Sequence, residues 1–526
     1  MKKILLIVTF ILVAALAFSA CGNNNDPPAA VGDGAATNGG DDAPAAGAAG
    51  GGTGRTDINL QFPQPIGILD PHYMQLTVEF IVRTQIFESL LLYEDDGSLT
   101  PLLALDFDVC ADGLVYTFNL RQGVTFHNGN PLTARDVVFS IQRAIDSPFF
   151  STETALIASV EEAGPYTVVV TSYAQSALFP VFVGYLPIMN EAQVLEAGDD
   201  IINTPVGTGP YMFYQHNRGV NLVLTANPNH WDGPPSIQTV NFRIIPDAST
   251  ALIAFEAGEL DRFMIPAIDW DGIVAQGRWN TSLNDTLHIT FFVFNHDVEP
   301  FNDVRIRQAI NYAMNRQEMV LFAFNGLATP AYTMTNTRFV FGATDDVRTY
   351  NFNPDRAREL LAEAGFPDGL TIPPILTLAG SFFEPASITL QANLAAVGIT
   401  ADVEIREPAA YVSDMMAGNF SIGIMGMMPG FDMDQFRDIY HTDNIDGLNM
   451  SRFSNARVDE LFDIGMRAAT PQERIEVYRE LLQIVQDEAV YAPAFFRPDP
   501  IAYDRNLTLV PRVNTLFRVA EWSWND

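Results

Sequence analysis

Between Gly22 and Gly54 the chain is built of Asn, Asp, Ala, Gly and Pro with almost no large apolar side chain, and this stretch limits where a fold can begin. Such a segment cannot bury enough surface to offset the entropy of ordering it, so it is expected to be a flexible leash. Before it, Lys2 and Lys3 form a short positive start, Ile4 to Phe18 is apolar apart from Thr9, and the run ends at Phe18-Ser19-Ala20-Cys21. That run is too short for a stable transmembrane helix and reads as a signal peptide over residues 1–20. Small residues before a cysteine fit a lipoprotein signal-peptidase site. Cys21 is then the expected lipid-attachment residue and residues 21–55 its tether. The alternative is an ordinary signal peptide cleaved after Ala20, with Cys21 incidental. At about 0.8 kcal/mol per buried methylene, several acyl chains would hold the protein on a membrane.

The remaining length, out of 526 residues, is enough for two or three domains. Hydrophobic residues make up 48% of the chain, which argues against disorder beyond the leash. Formal net charge is −34, or −36 once Lys2 and Lys3 leave with the signal peptide. A field of that sign repels phosphate backbones, so no nucleic-acid partner is expected. With no lysine after Lys3, a P-loop lysine, a Schiff-base lysine and a lysine general base are all excluded. The chain therefore does not hydrolyse ATP through a P-loop. Cys21 and Cys110 are the only cysteines. With Cys21 acylated there is no internal disulfide, and Cys110 is expected as a buried core thiol.

No enzyme is expected. The chain has no His-Glu-x-x-His, no Gly-x-Ser-x-Gly elbow and no environment for a cysteine nucleophile. Carboxylate pairs such as Asp432 and Asp434 are unavoidable among 63 acids and do not identify a glycosidase. The seven histidines, His72, His127, His216, His230, His288, His296 and His441, are scattered without ligand spacing, so neither metal nor cofactor is expected.

Local patterns in the body give an α/β chain. Ile58-Asn59-Leu60-Gln61-Phe62 reads as a strand. Thr133 and Asp136 have capping-box spacing, with Val137, Ile141 and Ala144 following on one face. Ile306, Ala309, Ile310 and Ala313 form a helical stripe after Asp303. Asn353-Pro354 starts a helix that buries Ala357, Leu360, Leu361 and Ala364 and stops at Gly365. Thr470-Pro471-Gln472-Glu473 starts another, through Ile475, Tyr478, Leu482 and Val485. Gly207-Thr208-Gly209 lacks the lysine of a phosphate loop. It is expected to be a tight turn between lobes, its glycines supplying positive φ and close backbone approach.

Asp112-Gly113-Leu114-Val115-Tyr116-Thr117-Phe118-Asn119-Leu120-Arg121-Gln122-Gly123-Val124-Thr125-Phe126-His127-Asn128-Gly129, leading into Leu132-Thr133-Ala134-Arg135-Asp136-Val137-Val138-Phe139, resembles the signature region of solute-binding protein family 5. This group includes oligopeptide-, dipeptide- and nickel-binding proteins of ABC importers. The resemblance continues in order over residues 56–510. Ile68-Leu69-Asp70-Pro71-His72 and Ile86-Phe87-Glu88-Ser89-Leu90 come before the signature. Pro205-Val206-Gly207-Thr208-Gly209-Pro210-Tyr211, Asn227-Pro228-Asn229-His230-Trp231, Ile245-Pro246-Asp247-Ala248-Ser249-Thr250, Gly258-Glu259-Leu260-Asp261 and Pro300-Phe301-Asn302-Asp303-Val304-Arg305-Ile306-Arg307-Gln308-Ala309-Ile310 come after it.

The resemblance implies a two-lobed α/β protein, of the periplasmic-binding-protein kind, with a ligand cleft between the lobes. Lobe I would comprise residues 56–97, 206–290 and 495–526, an inserted subdomain residues 98–205, and lobe II residues 291–494. It further implies a monomeric extracytoplasmic lipoprotein on the outer face of the cytoplasmic membrane (cell surface or periplasm). Such a protein closes on a small solute, peptides first, and delivers it to ABC transporter permease subunits. Oligosaccharides, a metal complex or a sensory role are alternatives on the same fold; a secreted hydrolase is a further one.

Family position also suggests a pocket. In peptide-binding relatives an aspartate in the loop after a lobe II strand often takes the ligand's amino group. That place falls on Gly430 here, with Asp432 and Asp434 just downstream, and an aromatic common in the loop is replaced by Met427. Met427, Met428 and Phe431 are candidate lining residues, the methionines fitting either a deformable pocket or the core. Phe382, Phe383 and Glu384 form a second candidate surface, without the arginine that dipeptide-binding relatives carry thereabouts. Gln64, Ile66 and Tyr491 are placed by family position alone.

Overall fold

The computed structural model describes residues 54–525 except 75, 96–97, 177, 199–200, 202, 337–339, 341–345, 429–431, 446, 469 and 514. Cys21, the signal peptide and all but the end of the tether lie outside the described residues, as do Gly430 and Phe431. Among the described residues no helix is long and apolar enough to cross a membrane.

The strand expected near Ile58 runs from Asp57 to Phe62, and its alternation buries Ile58, Leu60 and Phe62. It lies inside a seven-stranded sheet. Thr239–Ile244 pairs with it in parallel, from Asp57 opposite Thr239 to Phe62 opposite Ile244, and Arg262–Met264 takes its other edge. Tyr211–Asn217 and Asn221–Ala226 extend one side as an antiparallel meander, and Asp499–Tyr503 and Asn280–Asn284 extend the other. The C-terminal tail returns to this sheet's core, where Phe517 and Trp522 stack with ring centroids 4.9 Å apart.

The second sheet has six strands, in the order Thr329–Pro330, Tyr491–Phe496, Ile289–Phe294, Ile422–Met427, Ile375–Leu378 and Val403–Arg406. All six residues of Ile289–Phe294 are buried, as a central strand covered on both faces requires. Phe292 and Phe294 face a core with Ile306, Ile310, Leu390 and Leu394. Ile289, Phe291 and Val293 face another with Phe462, Tyr478 and Leu482.

A third, four-stranded antiparallel sheet comes from Ala104–Val109, Val115–Leu120, Thr167–Ser172 and Ile157–Gly164. Helix Ala134–Ile145 shares its core through buried Val137, Ile141 and Ala144. Its capping box forms as expected, the Thr133 N–H donating to Asp136 Oδ2 at 3.0 Å.

The chain passes between the two large sheets twice, between Asn284 and Ile289 and between Phe496 and Asp499. The two crossings run side by side and are tied together. Arg497 N–H donates to His288 O at 2.9 Å, and Thr286 Oγ1 to Arg497 O at 2.5 Å.

Two expectations need correction. Cys110 is exposed. It sits in the turn joining Ala104–Val109 to Val115–Leu120, where its thiol donates to Asp112 Oδ1 at 2.6 Å, and a hairpin turn has no core to offer it. Gly207 and Gly209 do not adopt positive φ, nor do they lie in a crossing between the large sheets. Their need for glycine is steric, because a Cβ on Gly207 would stand 2.0 Å from the Ile86 carbonyl oxygen and one on Gly209 2.6 Å from that of Gln85.

Candidate functional site

A cavity of about 420 Å³ opens where the first sheet's helix, segments packed on the third sheet and the second sheet's loop meet, within the size range of about 300–1,000 Å³ usual for small-molecule sites. Three groups of residues form its walls.

The first wall is helix Thr77–Ile86. Glu79 fixes its start by accepting the Leu76 N–H at 3.1 Å and the Gly67 and Ile68 N–H groups at 3.1 and 2.9 Å. Val78, Ile81, Val82 and Ile86 pack into the first sheet's core. Phe80 and Arg83 are left to line the cavity. Arg83 is buried, donates to the Tyr185 hydroxyl, and lies against the rings of Phe80 and Tyr185, 5.0 and 4.8 Å from their centroids.

The second wall is aromatic and comes from segments packed on the third sheet's core: Phe149 and Phe150 from one turn, Phe182 and Tyr185 from helix Phe179–Tyr185. Glu153 stands among them, and burial pushes its carboxyl above the ordinary range.

The third wall is Met428, Asp432 and Gln435, just past strand Ile422–Met427. Asp432 caps the turn Met433–Phe436, its Oδ1 accepting the Asp434 N–H at 2.8 Å. Arg474, fully buried on helix Pro471–Asp487, donates to Asp432 Oδ1 and reaches Asp434 Oδ2 at 3.1 Å. Tyr478 donates to Asp434 Oδ1. Two carboxylates thus face one guanidinium, and a negative charge is left over when both are ionised. Burial, with the neighbouring Asp434 adding to it, holds the Asp432 carboxyl at about 7 despite the pull of Arg474. Among the described residues, Asp432 Oδ2 and Gln435 Oε1 are buried without a hydrogen-bond partner. The cavity is therefore polarised: a cation and aromatic faces on one side, unsatisfied acceptors on the other.

A smaller adjoining cavity of about 200 Å³ shares Arg83 and Tyr185 and is lined also by Glu88, His230 and Trp231. Here the glutamate is satisfied. Glu88 accepts Thr208 Oγ1 at 2.8 Å and Trp231 Nε1 at 3.1 Å, with His230 Nε2 at 3.1 Å. Three stretches quoted for the family resemblance meet at this one carboxylate.

Of the residues proposed from sequence, Met428 and Asp432 line the larger cavity. Met427 ends its strand opposite Ile289, half-buried against the core. Phe382 and Phe383 pack on the second sheet's core, Phe382 against Phe324 at 5.5 Å and under the Arg497 guanidinium at 5.1 Å. Glu384 is half-buried in the first turn of helix Phe383–Ala395. Gln64 is exposed and Ile66 buried in the first sheet's core. Tyr491 is buried against Phe291 and Tyr440, its hydroxyl donating to Ile439 O at 2.6 Å. Arg83, Glu153, Gln435 and the aromatics Phe149, Phe150, Phe182 and Tyr185 were missed. The one trace of them is Arg83 itself, a charge directly after the apolar Phe80-Ile81-Val82. Among the described residues no group of three or more His, Cys, Asp or Glu side chains is placed to hold a metal ion.

Comparison with known proteins agrees with this architecture. The family model for bacterial extracellular solute-binding proteins, family 5 Middle, matches residues 98–446. "Heme-binding protein A" of Haemophilus influenzae is 27% identical over 444 residues, 78% of this chain and 81% of that protein. "Oligopeptide-binding protein AppA" of Bacillus subtilis is 26% identical over 427 residues, 75% of this chain and 78% of that protein. The crystal structure of the ABC transporter substrate binding protein CtaP from Listeria monocytogenes superposes with a TM-score of 0.83 at 25% identity, covering 90% of this chain and 100% of that one. These relatives are binding proteins, not enzymes, and their two-lobed α/β fold is the one described above. The chain belongs to the bacterial extracellular solute-binding proteins of family 5.

Proposed function

We propose that this protein is a lipoprotein, anchored through Cys21 outside the cytoplasmic membrane, that captures peptides in the cleft between its lobes and delivers them to the permease of an ABC importer. Lobe I is assigned to residues 56–97, 206–290 and 495–526, the insert to 98–205 and lobe II to 291–494; the protein acts as a monomer. One observation carries the reading: a cavity bounded by all three parts, with the unpartnered Oδ2 of buried Asp432 in its lobe II wall. A ligand ammonium there would restore charge balance to the Asp432–Asp434–Arg474 cluster, and the aromatic wall would cover apolar side chains. The relative named an oligopeptide-binding protein supports the ligand class. A ligand that touches both lobes favours the closed state over the open one by its differential contacts, and the permease then has a distinct shape to recognise.

The test is native mass spectrometry of the full chain purified without refolding. A ladder of co-purifying peptide masses is expected. A single non-peptide mass, such as a sugar, a metal complex or a tetrapyrrole, would keep the binding role and overturn the ligand.

A further inference from the structure

Five arginines are buried among the described residues, and four of them have either a carboxylate partner or several hydrogen-bond acceptors. Arg262 pairs with Asp499 at 3.0 Å, and Arg474 with Asp432 and Asp434. Arg307 reaches Glu488 and the carbonyls of Phe301 and Glu488. Arg316 donates to the carbonyls of Pro493, Asn311 and Tyr350 and to Asn311 Oδ1. Arg83 is the exception. It is 4% exposed, yet among the described residues its guanidinium donates one hydrogen bond, to a phenol hydroxyl, and no carboxylate lies within ion-pair distance. A buried cation left this way is costly, and native chains keep one where something else supplies the counter-charge.

We propose that Arg83 is the anion seat of this cleft and takes a carboxylate of the bound solute, so that the solute is a dipolar molecule spanning from Arg83 to Asp432. The inference rests on the reading that the cleft binds a solute, and it adds the second anchor that the sequence around Phe382 lacks. Three features of the geometry support it. Arg83 lines both cavities, so it borders the space a ligand would fill. The Phe80 and Tyr185 rings hold the guanidinium plane, which preserves the paired-donor geometry that matches a carboxylate. The Tyr185 hydroxyl, already an acceptor from Arg83, keeps its own proton to donate to the same anion. Glu153 shares the cavity and feels the Arg83 charge, but burial favours its neutral form and it makes no ion pair there. A singly charged carboxylate fits better than a phosphate dianion, because Glu153 and Asp432 line the same space.

The full chain, stripped of co-purified solute, is titrated calorimetrically with two probes. One is a panel of di- to pentapeptides, each as the free acid and as the C-terminal amide. The other is 3-phenylpropionate against 3-phenylpropanamide, which has an anion and a ring but no amine. Wild type is expected to prefer acids. Arg83→Gln should weaken the acids about ten- to a hundredfold, as loss of a hydrogen bond to a charged group would, and leave the amides nearly unchanged. Arg83→Lys should recover part of the preference. Acid-over-amide preference with phenylpropionate alone, lost in Arg83→Gln, upholds the anion seat and sinks the peptide reading. No such preference with either probe, or equal loss for acids and amides, overturns the anion seat. The apo melting temperature of Arg83→Met decides independently of ligand. It should hold or rise if the cation is unpaired, and a fall of several degrees would make Arg83 structural.

Discussion

Asp432 and Arg474 are about forty residues apart in sequence and in contact in the fold, and their energetics differ. Arg474 is buried between two carboxyl groups, so Arg474→Met leaves both without a buried counter-charge and hydrogen-bond donor and should cost about 3–5 kcal/mol, read as a lower urea midpoint. Asp432→Asn removes the charge in excess. It should leave the fold intact and weaken any ligand that brings an ammonium by about tenfold or more, measured by calorimetry. The pH dependence has a definite sign. The folded chain holds the Asp432 proton up to about 7, above the ordinary 3.8. Stability from this group is therefore greatest below pH 3.8 and falls as pH rises to 7. Binding of a cationic group runs the opposite way, weakening as pH drops below 7 and the carboxylate is lost. Wild type should show both trends relative to Asp432→Asn. Parallel pH profiles for the two proteins would contradict the assignment.

Among elements, the local signals carried furthest. The Thr470-Pro471-Gln472-Glu473 box caps helix Pro471–Asp487 through reciprocal bonds of 3.2 and 3.3 Å, and Asn353 accepts the Arg356 N–H at 3.0 Å to start its helix. Such signals lie within one turn of chain, which is why they can be read without a structure. The family stretches were legible for a related reason. They are framework: Glu88 joins Thr208, His230 and Trp231, and Asp70 holds Arg143 at 2.9 Å. The cavity is different in kind. Its walls come from residues near 80, 150, 180 and 432, and nothing local in any of those segments refers to the others. Arg474 was hidden too, since a charge at a core position of an amphipathic helix is recognisable only once its two aspartates are in place. Two glycines illustrate the contrast in mechanism. Gly207→Ala drives a Cβ into the Ile86 carbonyl and should cost about 3 kcal/mol, at the upper end for overpacking. Gly123→Ala, with φ +81° and nothing within 4 Å, should cost about 1 kcal/mol from backbone strain alone. Chemical denaturation of the two variants separates them.

For the whole molecule, the proposed function has solute held where the three walls of the larger cavity converge, its contacts bringing them together. The two crossings at 285–288 and 497–498 are the covalent links between the large sheets. The proposed closure would be absorbed there, with the carbonyls of His288 and Arg497 tying the two crossings into one strap. Hydrogen exchange of the full chain, with its solute stripped and then restored, tests the claim most directly. Segments 80–87, 149–154, 178–185 and 432–436 should gain protection together on restoring the solute, although they belong to three different parts of the fold. Protection confined to one of these segments, or centred on the open depression lined by Asn315, Val320, Leu321 and Pro330, would place the solute elsewhere and contradict the proposed site.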